Sequence, residues 1–378
     1  MQQRLPRAAD IVIIGGGPAG AAAALTLARS GITVVLLDAG RPRPSVGETL
    51  PPSVRPMLDC LGLRATMAAE GHLPSVGSWS AWGGAEPWGR DFIFNCFGHG
   101  WHLDRRRFDA LLRETARAAG AQLGTATVVA SDVLRAGGFC LHLADGQDMT
   151  ARIVLDATGR SASFARQRGV KRRAIDRMIA MVGSVPRRAD ADAEPAATLV
   201  EAVPDGWWYS APLPQDRLVT VFMTDADLAR GAGASTQAWL DRLAAAEHTA
   251  ARALRYGAGL AGPPFIVPAV SSRLERFGDT NWLALGDAAA SQDPLSSEGI
   301  LLALESGIEG AAAAARTLDG DRDALPAAAM RREAAWLRYL ARRDSHYGME
   351  RRWREAPFWR RRNGRPTEPD ISEQRSVA

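Results

Sequence analysis

Lys171 is the only lysine among the 46 basic side chains of this chain. Cysteine is nearly as scarce. Cys60, Cys96 and Cys140 are scattered with no Cys-x-x-Cys pair, which excludes a disulfide framework and zinc sites of familiar spacing, so no metal is expected. No apolar run approaches the roughly 20 residues needed to span a bilayer. The opening residues, MQQRLPRAAD, lack the apolar core of a signal peptide. The expectation is therefore a cytoplasmic protein with no membrane span. Internal repeats are absent. The net charge of +4 is modest and no nucleic-acid motif accompanies it, so nucleic acid is not an expected partner. What remains is 378 residues, 46% hydrophobic and 23% charged, enough for a sizeable core and about two domains of an enzyme.

Two short stretches far apart in the chain carry the first chemistry. Ile11 to Ile14 is an apolar run feeding a glycine turn, and the alanine-rich segment from Pro18 to Ser30 predicts a helix with Pro at its first position. In this strand, turn and helix, Gly15 allows the turn, Gly17 lets the backbone approach a pyrophosphate, and Gly20 lets helix and strand pack closely. The helix start at Pro18 and Ala19 offers free N–H groups to the phosphates. A second apolar run, Thr33 to Leu37, ends in Asp38, whose carboxylate can accept the ribose hydroxyls of an adenosine. A further G-x-G-x-x-G, Gly257 to Gly262, follows a helical run and meets two prolines, so it lacks the strand and helix that the motif requires.

The second stretch, Trp282 to Ile300 (WLALGDAAASQDPLSSEGI), resembles the second FAD signature of flavoproteins. The resemblance implies that Asp287, after Gly286, bonds a ribityl hydroxyl. It also implies that the loop at Pro294 leads into a helix whose start, Ser297, Gly299 and Ile300, faces the flavin ring. Leu155 to Gly159 (LDATG) resembles the family turn that passes the FAD through Ala157 and Gly159, Arg105 with Phe108, Asp109 and Leu112 resembles its R-x-x-F-D-x-x-L helix entry, and Val129, ending the run Gln122 to Val129, falls where adenine is met by backbone.

Short apolar runs broken by Pro and Gly lie between these landmarks: Met178 to Val185, Thr198 to Val203, Trp207 to Leu213 and Leu218 to Met223. They predict an antiparallel sheet, while 235–254 has helical spacing and Arg187 to Pro195 reads as an exposed loop. The expected fold is α/β: a Rossmann-type FAD-binding domain (1–80, 102–173 and 271–325), an inserted, mainly antiparallel substrate domain (81–101 and 174–270), and a C-terminal helix with a basic arm (326–378). This arrangement resembles flavin monooxygenases of the p-hydroxybenzoate hydroxylase type.

Val46 to Pro51 (VGETLP) matches the G-E-(S/T)-x-x-P loop of flavin-dependent tryptophan halogenases and their monooxygenase relatives. The resemblance implies that Gly47, Glu48 and Thr49 lie beside the isoalloxazine. Halogenases carry a lysine some distance after that loop to handle hypohalous acid, yet residues 50–82 contain none. They also carry W-x-W-x-I-P, of which Trp207, Tyr209, Ala211 and Pro212 retain only the ends. Both departures point to a halogenase relative that oxygenates, through the electrophilic distal oxygen of a flavin C4a-hydroperoxide. Glu48, Tyr209 and Glu298 are the candidate catalytic residues. His99 and His102 could adjust protonation but, with no carboxylate partner to be located, read as satisfied packing histidines.

Trp79, Trp82, Trp88, Trp101, Trp207 and Trp208 offer faces for stacking an aromatic substrate, with core packing as the competing role for about half of them. Met349 to Arg362 (MERRWREAPFWRRR) reads either as an exposed arm docking a protein or as a helix packed on the FAD domain. Together with DPLSSEGI, it resembles the flavoprotein monooxygenases of tryptophylquinone biogenesis, which implies oxygen insertion into a tryptophan of a partner polypeptide. Electrons would come from NAD(P)H directly or from a separate flavin reductase. A halogenase, a reductase resembling geranylgeranyl reductases, and a maturation factor with structural FAD are the alternatives.

Overall fold

The computed structural model describes residues 5–41, 46, 48–135, 137–191, 194–229, 235–257 and 259–363. Its first sheet stacks the parallel strands Gln122–Thr125, Val34–Asp38, Ala8–Ile14, Asp148–Asp156 and Trp282–Ala284, and extends antiparallel through Phe139–Leu143 and Val128–Val133. Its central runs are hydrophobic at every position because both faces are covered. Ile11, Ile13 and Leu36 pack toward the helix Pro18–Arg29, and Val12, Ile14 and Leu37 pack into a second cluster on the opposite face.

The alanine and glycine content of the two signature helices has a packing cause. A Cβ added to Gly307, on the helix Gly299–Leu318, would stand 2.3 Å from the carbonyl oxygen of Ala19 on the helix Pro18–Arg29. Only small residues permit that approach. It brings the two sequence stretches into direct contact.

The second large sheet runs Phe265–Pro268, Met178–Pro186, Arg217–Asp225, Gly206–Leu213, Ala197–Val203, Gly77–Ala81 and Trp88–Asp91. It is antiparallel except where Ala197–Val203 runs parallel to Gly77–Ala81. Gly77–Ala81 thus joins this sheet ahead of the boundary expected at residue 81. The helices Thr236–Ala244 and Glu247–Tyr256 cover one of its faces. A small sheet of Glu48–Leu50, Gly100–Leu103 and Leu73–Ser75 stands beside the other.

The C-terminal segment departs from both sequence readings. The helix Ala324–Met349 buries Trp336 and Tyr339 in the core of the first sheet and Tyr347 in that of the second. Residues 357–363 then form a helix packed on the antiparallel sheet. Phe358 and Trp359 are fully buried, the Trp359 indole donates to Val203 O at 2.8 Å, and Arg362 donates to Asp225 Oδ1 at 2.7 Å. Up to Asn363 the expected basic arm is therefore anchored by Phe358, Trp359 and Arg362, which has a buried carboxylate to meet, while Arg351, Arg354, Arg360 and Arg361 stay exposed. Residues 364–378 lie outside the described part.

Candidate functional site

The glycine turn is a cradle that side chains would fill. Gly15 has φ +113°, and a Cβ there would lie 2.2 Å from Ala157 O. A Cβ on Gly20 would lie 1.9 Å from Gly15 O. Gly17 caps the helix in extended geometry without a side-chain cap, and Pro18 takes the first helical position. The following N–H groups of Ala19 and Gly20 precede the first intrahelical bond, which Ala21 N donates to Gly17 O, so this end fits a pyrophosphate. Asp38 ends its strand as expected, but its carboxylate also holds the loop: Gly16 N donates to Oδ2 and Gly40 N to Oδ1, each at 2.7 Å.

Gly286 has φ +52°, and a Cβ there would come within 3.1 Å of Ala19 Cβ; its N–H donates to Ser306 Oγ at 2.8 Å. Asp287 pairs with Arg160 at 3.6 Å, while Arg172 fixes the same turn by donating to the carbonyls of Asp287 and Ala288. Ala157 N donates to Ile14 O at 2.8 Å, and Gly159 has φ +66°. Asp156 beneath them is fully buried, which pushes its carboxyl up, and accepts from Thr158 and Ala165. Nothing in the LDATG string points to that structural role.

The loop at Pro294 is a 3-10 turn capped by Asp293, with Ser297 left-handed and Gly299 and Ile300 opening the helix. Asp293 is buried and accepts from Tyr347 OH at 2.8 Å, and Trp207 Nε1 donates to the same hydroxyl oxygen. The antiparallel sheet is thereby tied to this loop through the C-terminal helix. Glu298 is engaged by Arg342 at 2.9 Å, an ion pair that the sequence could not locate.

Gly47 and the Glu48 side chain lie outside the described residues; the Glu48 backbone opens the strand Glu48–Leu50. Thr49 is the hub of a polar cluster. Its Oγ1 stands 2.9 Å from His102 Nδ1, 2.8 Å from Tyr209 OH and 3.3 Å from Thr198 Oγ1. His102 Nε2 faces Ala196 O at 3.0 Å, and a carbonyl only accepts, so Nε2 carries hydrogen. Burial lowers the pKa of His102 from 6.5 to about 4, leaving Nδ1 an acceptor for the Thr49 hydroxyl. Thr49 then accepts from Tyr209. With its proton committed to Thr49, Tyr209 meets any further partner as an acceptor.

That buried imidazole gives a pH prediction. The folded chain resists a proton that the unfolded chain takes up below pH 6.5, so His102 costs stability progressively from about pH 6.5 to 4 and nothing above. The total is about 3 kcal/mol. His102→Gln can keep both hydrogen bonds without titrating, and its unfolding free energy is expected to fall less between those pH values than the parent's. Parallel losses in the two proteins would contradict this origin.

Other expected site residues are placed differently. Arg105 starts the helix Arg105–Ala118 and grips Asp109 at 3.2 and 3.3 Å. Arg113, two turns later, reaches Gly16 O at 3.1 Å; its sequence signal was only that it shares a helix with Arg105. The predicted run from Gln122 to Val129 is split, because the chain passes at Ala126 and Thr127 from one edge of the first sheet to the other, leaving the Val129 side chain exposed. His99 hydrogen-bonds Gly100 O and packs against Trp101. Of the six tryptophans, Trp82, Trp101, Trp207 and Trp208 are core, while Trp79 and Trp88 are exposed. Lys171 is exposed on a connecting segment.

Residues 89–377 match the profile of the tryptophan halogenase family, and residues 9–60 match that of pyridine nucleotide-disulphide oxidoreductases. A protein of Marinomonas mediterranea named as an FAD-dependent oxidoreductase, LodB, is 30% identical over 370 residues, spanning 94% of this chain and 96% of its own. Among solved structures, the flavin-dependent halogenase CmlS aligns over 97% of this chain and 69% of its own, with TM-score 0.82 and 27% identity. QhpG, a peptidyl tryptophan dihydroxylase essential for tryptophylquinone cofactor biogenesis, aligns over 95% and 79% with TM-score 0.77 and 26% identity.

Proposed function

The chain belongs to the tryptophan halogenase family of flavin-dependent oxidoreductases, and from that premise we propose that it is an FAD-dependent monooxygenase acting on a tryptophan residue of a partner protein during quinone cofactor biogenesis. FAD, reduced by NAD(P)H or by a separate flavin reductase, supplies the two electrons that send one atom of O2 into the substrate and the other into water. The cradle around Gly15, Gly20, Ala157 and Gly286 would hold it, with Asp38 and Asp287 as the carboxylates for its sugar hydroxyls.

One observation carries oxygenation over halogenation. Residues 50–82, where halogenases hold their lysine, contain none, and the exposed Lys171 lies far along the chain. Halogenation is the second reading, favoured by the family's name and by the likeness to CmlS. The substrate's size is argued from the antiparallel sheet. Strand register sets Tyr209, Val200, Ser80 and Trp88 in one row across a single face, with Val200 and Ser80 only half-buried. Trp88 is 63% exposed at the end of that row, and Ile93 and Phe94 are 78% and 94% exposed in the turn that follows. Exposed aromatic surface continuous with the Tyr209 cluster suits a protein-borne substrate, whose indole N–H, a donor only, meets Tyr209 as an acceptor.

The test combines reduced protein, oxygen-18 gas, a tryptophan-containing peptide or co-expressed partner, and halide. A mass gain of one or two labelled oxygens on the peptide is expected. A halogenated product, or turnover of only a free small aromatic, would overturn the reading. Tyr209→Phe is expected to retain FAD yet lower oxygen insertion roughly 100-fold, the scale of a lost hydrogen-bonding group in proton handling. Unchanged product per flavin would remove Tyr209 from the site.

A further inference from the structure

At the opposite end of the strand Asp148–Asp156 from the dinucleotide turn, the outer strands of the first sheet hold a group of donors facing solvent. Cys140 and His142 lie two apart on Phe139–Leu143, so they share a face while Phe139, Leu141 and Leu143 enter the core. Register sets Asp132 opposite Cys140 on one neighbouring strand and Asp148 opposite His142 on the other. His142 Nδ1 is 2.7 Å from Asp148 Oδ1, and Nε2 is 2.9 Å from Asp132 Oδ2. One ligand atom each from Cys140, His142 and Asp148 lies within 4.8 Å of the others.

We propose that Cys140, His142 and Asp148 bind a divalent cation of the zinc class, with Asp132 orienting His142 from outside the coordination sphere. The donor set selects the ion. Sulfur, imidazole nitrogen and carboxylate together suit zinc or cobalt, whereas magnesium and calcium require oxygen throughout. Metal–ligand distances of roughly 2.0 to 2.3 Å imply tetrahedral edges of about 3.3 to 3.8 Å, so Asp148 Oδ1, now 2.7 Å from His142 Nδ1, must swing outward by under about an ångström to admit the ion between them. Asp148, at a strand start and with its side chain 62% exposed, has that freedom.

Coordination through Nδ1 leaves Nε2–H donating to Asp132, the carboxylate–histidine–metal arrangement that fixes a ligand ring. Three protein ligands leave a fourth position for water. The ion would clip together two strands already paired in the sheet, Phe139–Leu143 and Asp148–Asp156, with the third neighbour held through Asp132. Eight residue steps at about 3.3 Å separate Asp148 from Asp156, roughly 26 Å along the strand, so the site is remote from the glycine cradle. Sequence alone hid it: a single Cys-x-His has no metal spacing until the neighbouring strands supply the acids.

The test titrates Co2+ into the full-length, chelator-treated flavoprotein and records difference spectra against the metal-free protein. One equivalent is expected to give four-coordinate visible bands and a thiolate-to-cobalt charge-transfer band, both displaced by Zn2+. Cys140→Ser is expected to abolish the charge-transfer band and His142→Ala to abolish tight binding. Cys60→Ser is expected to change nothing, and Asp132→Asn to keep the spectrum while weakening affinity roughly 10- to 100-fold. A parent protein without the thiolate band, or a band that survives in Cys140→Ser, would overturn the assignment.

Discussion

Gly15→Ala is expected to purify without flavin. The residue is held at φ +113°, and the added methyl carbon would stand 2.2 Å from Ala157 O, 2.6 Å from the Ala157 carbonyl carbon and 3.0 Å from Thr158 N. These are backbone atoms of the turn that follows the strand Asp148–Asp156, so no side chain can rotate away. Relief requires the glycine loop to leave the sheet, carrying with it the helix start that would hold the pyrophosphate. Backbone strain alone costs about 1–3 kcal/mol, and displacement of the N–H groups proposed to bind the phosphates adds to it, so FAD affinity is expected to fall at least 100-fold. Gly31→Ala, past the far end of the Pro18–Arg29 helix, is the control: it also has positive φ, +73°, but an added Cβ meets nothing within 4 Å, and it should retain most of its flavin. The check is flavin absorbance per chain after gel filtration, with circular dichroism to confirm that both variants fold. Equal flavin retention by Gly15→Ala and the parent would show that the cofactor does not sit on this turn.

That cradle was legible because its information is local. Strand, turn and helix follow one another within Ile11 to Arg29, and each glycine answers to a contact inside one supersecondary unit or with one partner turn. The Thr49 cluster was not legible in the same way. In sequence Thr49 reads as a flavin neighbour and His102 as a packing residue; the hydrogen bonds of Thr49 span 53 residues to His102 and 160 to Tyr209, and they arise only when a small sheet docks on a large one. His102 is satisfied by a hydroxyl and a carbonyl rather than by a carboxylate. Val129 shows a different limit: Gln122 to Val129 is continuous in sequence, yet the topology divides it between the two edges of a sheet.

Trp359→Ala is expected to be the most destabilising substitution among the chain's tryptophans that lie outside the strands. The side chain is fully buried, its indole N–H donates to Val203 O at 2.8 Å, and its ring packs edge-on against Trp82 and Phe358 with centroids 5.2 and 5.3 Å away. Truncation would leave a cavity beneath a seven-residue helix and orphan an accepting carbonyl, for about 3–5 kcal/mol. The loss would not stop at that helix. Arg362, on its last turn, pairs with the buried Asp225 and lies over the Tyr347 ring, while Tyr347 donates to Asp293 in the loop before the Gly299–Leu318 helix. A frayed C-terminal helix should therefore loosen the loop proposed to face the flavin, and weaker FAD binding is expected to accompany the lower denaturation midpoint. Trp88→Ala makes the contrast: at 63% exposure it should change stability by less than about 0.5 kcal/mol, yet impair turnover of a protein-borne substrate. Denaturant melts with flavin fluorescence recorded on the same samples separate the two effects. If Trp359→Ala melts with the parent, residues 357–363 contribute nothing to the fold, and the coupling from Trp359 through Tyr347 to Asp293 fails with them.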